Sequence, residues 1–106
     1  PDYSSAASDV YKRQYNNSGD IRCNEGGGSM QTHTIFPESN DAYSLGTNTK
    51  RWANIHTNDL NLSNEGSVND VDGTWGNYTI QEGESDLFLI NRRNGKRYKF
   101  NLTEID

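Results

Sequence analysis

Apolar residues stand singly along most of this chain, and their spacing changes near residue 75. Between Tyr43 and Leu62, in "YSLGTNTKRWANIHTNDLNL", one Tyr, one Trp, one Ile and three Leu are separated by Asn, Thr, Ser, Lys and Arg. Tyr43 and Leu45 alternate with polar neighbours, as do Leu60 and Leu62, which is the period of a strand with one covered face. The step from Trp52 to Ile55 fits either one helical turn or a strand carrying a bulge before Leu60. No helical stripe persists long enough to predict a stable helix. Upstream, Ile35-Phe36-Pro37 is a short apolar run stopped by proline, followed by the turn-prone Glu38-Ser39-Asn40-Asp41. Residues 35–63 are therefore expected to form a module of short strands.

A polar loop, "NEGSVNDVDGT" at 64–74, separates this module from a second one at 75–106, where the pattern is stronger. Tyr78 and Ile80 alternate with Thr79 and Gln81, and "EGESD" turns the chain. "DLFLIN" is a continuous apolar run, suited to a strand covered on both faces. Asn94-Gly95 is a short hairpin signal, because both residues tolerate the positive φ of a two-residue type I′ turn. Beyond it Tyr98, Phe100 and Leu102 alternate with Arg97, Lys99, Asn101 and Thr103. The prediction is an antiparallel three-stranded meander turning at Asn94 and Gly95. Its core would comprise Trp75, Tyr78, Ile80, Leu87, Leu89, Tyr98, Phe100 and Leu102.

Composition raises a difficulty for that core. Leu, Ile, Val and Phe supply only 18 of 106 residues, under the level of about 20% at which a chain struggles to bury enough apolar surface. Yet the net charge is only −5 and aromatic residues reach 10%, neither of which suits a disordered tail. A chain of this kind is expected to complete its core from copies of itself. The acidic balance argues against nucleic acid as a partner, since phosphate binding needs clustered Lys and Arg. The one basic cluster, Arg92-Arg93-Asn94-Gly95-Lys96-Arg97, surrounds the predicted hairpin turn, where charge also serves solubility. No apolar run approaches the roughly 18 residues of a membrane-spanning helix, so membrane insertion is not expected.

Candidate chemistry is sparse. Aligning Gly73 with the central glycine of a calcium-binding loop puts Val68 and Thr79 at the first and last ligand positions, where carboxylates are required. Asp70, Asp72, Glu82, Glu84 and Asp86 lie in loops of a core-poor chain, where acids are ordinarily solvated, not desolvated as a glycosidase acid must be. His33 and His56 are 23 residues apart with no Cys pair, although a symmetric trimer would bring copies of one His to an axis. Cys23 is the single cysteine and forms no internal disulfide. Gly26-Gly27-Gly28 lacks the Lys-Ser/Thr of a phosphate-binding loop. No catalytic residue, cofactor or metal ligand is expected. Trp52 and Trp75 remain: an exposed Trp stacks on sugar rings, but in so core-poor a chain a place between chains is the expected role.

The N-terminal residues form a separate case. "SSAASDVYKRQ", Ser4 to Gln14, resembles the conceptual translation of a sequencing-library adapter; the codons GAT-GTG-TAT-AAG-AGA-CAG read in frame as Asp9 to Gln14. Residues 1–14 are accordingly set aside from fold reasoning as an expected fusion scar, with the native N-terminus missing. Residues 15–34, rich in Gly, Asn and Ser, are expected to be linker.

Two stretches also carry a family resemblance. "IFPESNDAYSLGTNTKRWANIHTNDLNLSN" is similar to a motif recurring near the ends of bacteriophage tail fibre and tail spike proteins. Its Ile-x-Pro, Asp-x-Tyr-x-Leu-Gly, Arg-Trp, Ile and Leu-rich elements fall on Ile35, Pro37, Asp41, Tyr43, Leu45, Gly46, Arg51, Trp52, Ile55, Leu60 and Leu62. Ser44 stands where that motif usually has Asp, and His56 where it has Tyr. "NDVDGTWGNYTIQEGESDLFLINRRNGKRYKFNLTEI" resembles the C-terminal end of marine phage fibre proteins.

The resemblance implies a mainly β fold: an intertwined trimeric fibre segment followed by the meander as a distal cap. In it Tyr43, Leu45, Trp52, Ile55, Leu60 and Leu62 would lie at contacts between chains. It implies a non-enzymatic virion protein that forms a homotrimer and presents a tip to a bacterial surface glycan or protein receptor. Two alternatives remain at this stage. One is the non-catalytic end of a polysaccharide-degrading tail spike, and the other is a bacterial surface adhesin.

Overall fold

The computed structural model describes residues 28–106; the adapter-like segment 4–14 and most of the 15–34 linker lie outside them. The described residues fall into two units that divide between Leu45 and Gly46. Among the described residues there is no helix, and the regular structure is one antiparallel sheet in the second unit. Its strands are β1 (Leu60–Ser63), β2 (Asn77–Glu82), β3 (Leu87–Asn91) and β4 (Arg97–Lys99), in the spatial order β1-β2-β3-β4. The fold is thus mainly β, with the expected meander at its C-terminal end formed by β2, β3 and β4.

The first module departs from expectation in two ways. Only its last residues are a strand, and that strand joins the meander as a fourth member. Residues 35–59 have no regular secondary structure, so neither the helical turn nor the bulged strand at Trp52–Ile55 is present. The cause is local. Gly46 takes a left-handed φ of 87°, and the next residues close on themselves: Thr47 N–H donates to the Lys50 carbonyl at 2.9 Å and Lys50 N–H to the Thr47 hydroxyl at 3.0 Å. A Cβ on Gly46 would sit 3.2 Å from the Lys50 carbonyl and 3.6 Å from the Trp52 indole. The Leu-Gly-x-x-x-x-Arg-Trp pattern therefore encodes a closed turn capped by an indole edge, which takes the backbone out of strand pairing.

Register sets which side chains share a face. Leu60 is opposite Ile80 and Leu62 opposite Tyr78; Leu89 is opposite both Ile80 and Tyr98. Between β1 and β2 the loop is pinned at its base by Asn64, whose side-chain oxygen accepts the Gly76 N–H at 2.8 Å and whose own N–H reaches the Gly76 carbonyl. Its tip is an Asx-type turn. Asn69 Oδ1 accepts the N–H groups of Val71 and Asp72, and Asp72 Oδ1 accepts from the Asn69 amide and from both the hydroxyl and N–H of Thr74.

The hairpin between β3 and β4 corrects the expected two-residue turn. Ile90 pairs with Arg97 and the loop spans Arg92 to Gly95. The Asn91 carbonyl accepts the Gly95 N–H at 2.7 Å, and the Asn91 N–H donates to the Lys96 carbonyl at 2.8 Å. Gly95 has a φ of 76°, whereas Asp41 is the only non-glycine with positive φ among the described residues, so Asn94 is not left-handed as a type I′ turn requires. The physical reason is Asn91: its side chain accepts the Arg93 N–H at 3.0 Å and starts the turn early. Asn94 contributes a side-chain oxygen to the Lys96 N–H instead. The third meander strand is also shorter than the sequence alternation. It ends at Lys99, one further ladder bond joins Phe100 N–H to the Leu87 carbonyl at 2.9 Å, and Leu102 lies outside any strand.

Candidate functional site

The strand pairings sort the sheet's side chains into two unlike faces. On one face lie Leu60, Leu62, Tyr78, Ile80, Leu87, Leu89 and Tyr98, with Glu82 and Asn91 at its ends. Cross-strand neighbours in such a ladder have Cβ atoms about 4.5–5.5 Å apart, so these seven form one continuous apolar surface. No hydrophobic residue among the described ones is buried. Leu60, Leu62 and Tyr98 are 45–49% exposed, and the other four are half-buried. Exposure of this kind is not the scattered Leu of an ordinary surface; it is a whole sheet face.

The opposite face is held by polar side chains. Thr79, the one fully buried side chain among the described residues, donates its hydroxyl to Asn61 Oδ1 at 2.7 Å and accepts from Arg92 Nε at 3.1 Å. Beside this row Gln81 donates to the Asp59 carboxylate at 3.1 Å. Phe88 and Ile90 also lie on this side, opposite Gln81 and Thr79 on β2 and opposite Lys99 and Arg97 on β4. The run "DLFLIN" thus gives apolar residues to both faces; the Asn61–Thr79–Arg92 row crosses this one, and on the other the Asn91 amide donates to the Tyr78 hydroxyl at 3.4 Å. Every buried side-chain polar atom has a hydrogen-bond partner among the described residues.

Trp75 precedes β2 and is half-buried. The Arg93 guanidinium stacks 3.8 Å from its ring centroid and also donates to its carbonyl at 3.1 Å. A cation over the face of Trp is electrostatically favourable, by about 0.5–1 kcal/mol at exposed sites. The hairpin turn is thereby tied to the loop entering β2. In that loop the Asp72 carboxyl is held below its ordinary value, first by the Thr74 hydroxyl and then by the Asn69 amide. Its hydrogen-bond partners belong to the loop's own closure, so this carboxylate is structural in character.

The residues singled out from sequence fall into three groups. Leu60, Leu62, Tyr78, Ile80, Leu87, Leu89 and Tyr98 are brought together on one face, with Phe100 held opposite Leu87 by the extra ladder bond. Trp52 and Ile55 are exposed in the irregular segment and take no part in the sheet; Tyr43 and Leu45 are exposed in the first unit. Leu102, placed in the meander core by its alternation, is instead 72% exposed. Thr79 and Arg92 were not anticipated; the signal for Thr79 is its place in the middle of an alternating strand, between Tyr78 and Ile80, with the polar Asn77 and Gln81 two residues to either side. Among the described residues no group of three or more His, Cys, Asp or Glu is placed to hold a metal ion. Comparison with protein-family models, curated proteins and solved structures finds no match.

Proposed function

We propose that this chain is a structural and adhesive part of a bacteriophage tail fibre, acting as a homotrimer that presents a receptor-binding tip. One observation supports it above the others: a well-formed sheet exposes a continuous apolar face and no hydrophobic residue among the described ones is buried. Such a face costs free energy in water and is stabilised when a second apolar surface covers it. In a homotrimer three copies of Leu62, Ile80 and Leu89 would supply the layer that one chain lacks. The number three, the virion as location and the bacterial receptor come from the resemblance of residues 35–64 and 69–105 to tail fibre ends.

Trp52 and Ile55 fit the same account. Both are large and exposed, and Trp52 lies beside a closed turn whose geometry is fixed by Gly46 and Thr47. A side chain fixed in place while exposed loses little conformational entropy when a partner covers it. Fluorescently labelled protein incubated with bacterial cells tests adhesion: saturable binding to some strains, without release of oligosaccharide from their capsule or lipopolysaccharide, is expected. Reproducible saccharide release by this chain would contradict a non-enzymatic role, and failure to bind any strain in a broad marine panel would contradict the adhesive one.

A further inference from the structure

Five of the chain's ten Lys and Arg residues fall between Arg92 and Lys99, although the chain as a whole is acidic. Strand register separates them by face. Arg97 and Lys99 stand on the face opposite the apolar surface, across from Ile90 and Phe88. Arg92 lies on that same side, with its guanidinium fixed on the Thr79 hydroxyl. Together with Gln81, these strands enclose an open groove of about 450 Å³ lined by Phe88, Ile90, Arg97, Tyr98 and Lys99. The groove has an aromatic and aliphatic floor with cations along one wall. The acids Glu82, Glu84 and Asp86 belong to the β2–β3 turn, at the end of β3 away from Arg97 but next to Lys99, which pairs with Phe88. The Asp59 carboxylate accepts from Gln81 at the groove.

We propose that this groove is a binding site for an acidic polysaccharide, one bearing carboxylate or sulfate groups on its sugar rings. Three features select that ligand. The C–H face of a sugar ring packs on an aromatic side chain, here Phe88. A guanidinium presents a planar fork that matches a carboxylate or sulfate, and Arg97 and Lys99, two residues apart on one strand, face the same way. The groove is short and the chain carries a net charge of −5, which disfavours a long duplex of nucleic acid while leaving local attraction to a flexible acidic glycan. The proposal rests on the fibre account only in turning this face outward when the apolar one is covered.

Binding of the full chain to immobilised alginate, dextran sulfate, neutral dextran and duplex DNA tests it, in 50 mM and 200 mM salt, with sedimentation run on the same samples. Expected is binding to alginate (carboxylate) or dextran sulfate (sulfate), none to dextran, and weaker binding in the higher salt. The double variant R97Q/K99Q should weaken binding about tenfold or more, whereas the remote K50Q/R51Q should retain it. Equal binding to dextran, no binding to either acidic polymer, or unchanged affinity in R97Q/K99Q overturns the proposal. Tighter binding to DNA than to both acidic polymers also overturns it. A trimer that binds neither acidic polymer defeats this site and leaves the assembly intact, while a monomer that binds one does the reverse.

Discussion

Replacing Leu62 with Ala probes the apolar face at a position where the two roles of a side chain are separable. Leu62 stands on β1 opposite Tyr78 and is 49% exposed in the single chain. Full burial of a Leu side chain stabilises by about 1.5–3 kcal/mol, so roughly half of that, about 0.7–1.5 kcal/mol per copy, is left for a partner to supply. Three copies sharing a layer would lose about 2–4 kcal/mol of association free energy, which weakens assembly roughly 30- to 1,000-fold. The loss within the sheet is smaller, about 0.2–1 kcal/mol for the cross-strand pair with Tyr78. Sedimentation velocity across a concentration series reads the first quantity, and far-UV circular dichroism checks that the strands persist. Val71→Ala, at a loop residue 95% exposed, is the matched control and should change neither. Unchanged association in Leu62→Ala, with the sheet intact, would refute the assignment of this face to contacts between chains.

Three further substitutions or conditions test the local physics. Gly95→Val should destabilise by about 1–2 kcal/mol in urea denaturation; nothing lies within 4 Å of a Cβ there, so the cost is backbone strain and Gly95→Asn should cost distinctly less. Thr79→Val removes the hydroxyl that bridges Asn61 and Arg92 and should cost about 1 kcal/mol or more, with Thr79→Ser retaining most of it. The Asp72 carboxyl has a folded pKa below its unfolded value of 3.8, so its contribution is fully present above that value and is lost as pH falls below it. Amide exchange at Val71, Asp72 and Thr74 should therefore lose protection on acidification, and Asp72→Asn should abolish that pH dependence. Protection that persists unchanged to pH 2 would count against the carboxylate's role in closing the loop.

Legibility from sequence differed from segment to segment, for physical reasons. The meander was readable because Tyr78 and Ile80, "DLFLIN" and Tyr98 carry a period of two between turn residues, and that period alone fixes which face each side chain takes. The turn type was not readable from Asn94-Gly95, because Asn91 competes as a turn initiator through its own side chain. Residues 43–59 show spacing compatible with strands, yet the backbone hydrogen bonds of Thr47 and Lys50 are spent within one closed turn. Leu60 and Leu62 signalled a strand, but nothing in their own segment specified that β2 would be the partner. The two-faced character of the sheet was partly visible. The polar row Asn61, Thr79 and Arg92 brings together residues far apart in sequence, and only register reveals that they meet.

Central to the proposal is that other copies of the chain cover the apolar sheet face, and one measurement addresses that directly. Sedimentation equilibrium at micromolar concentration should return about three times the chain mass of 11.9 kDa, with a single species persisting on dilution. A monomer of 11.9 kDa that gives a cooperative unfolding transition and protected β2 and β3 amides would contradict it, because the sheet would then be stable with Leu62, Ile80 and Leu89 facing water.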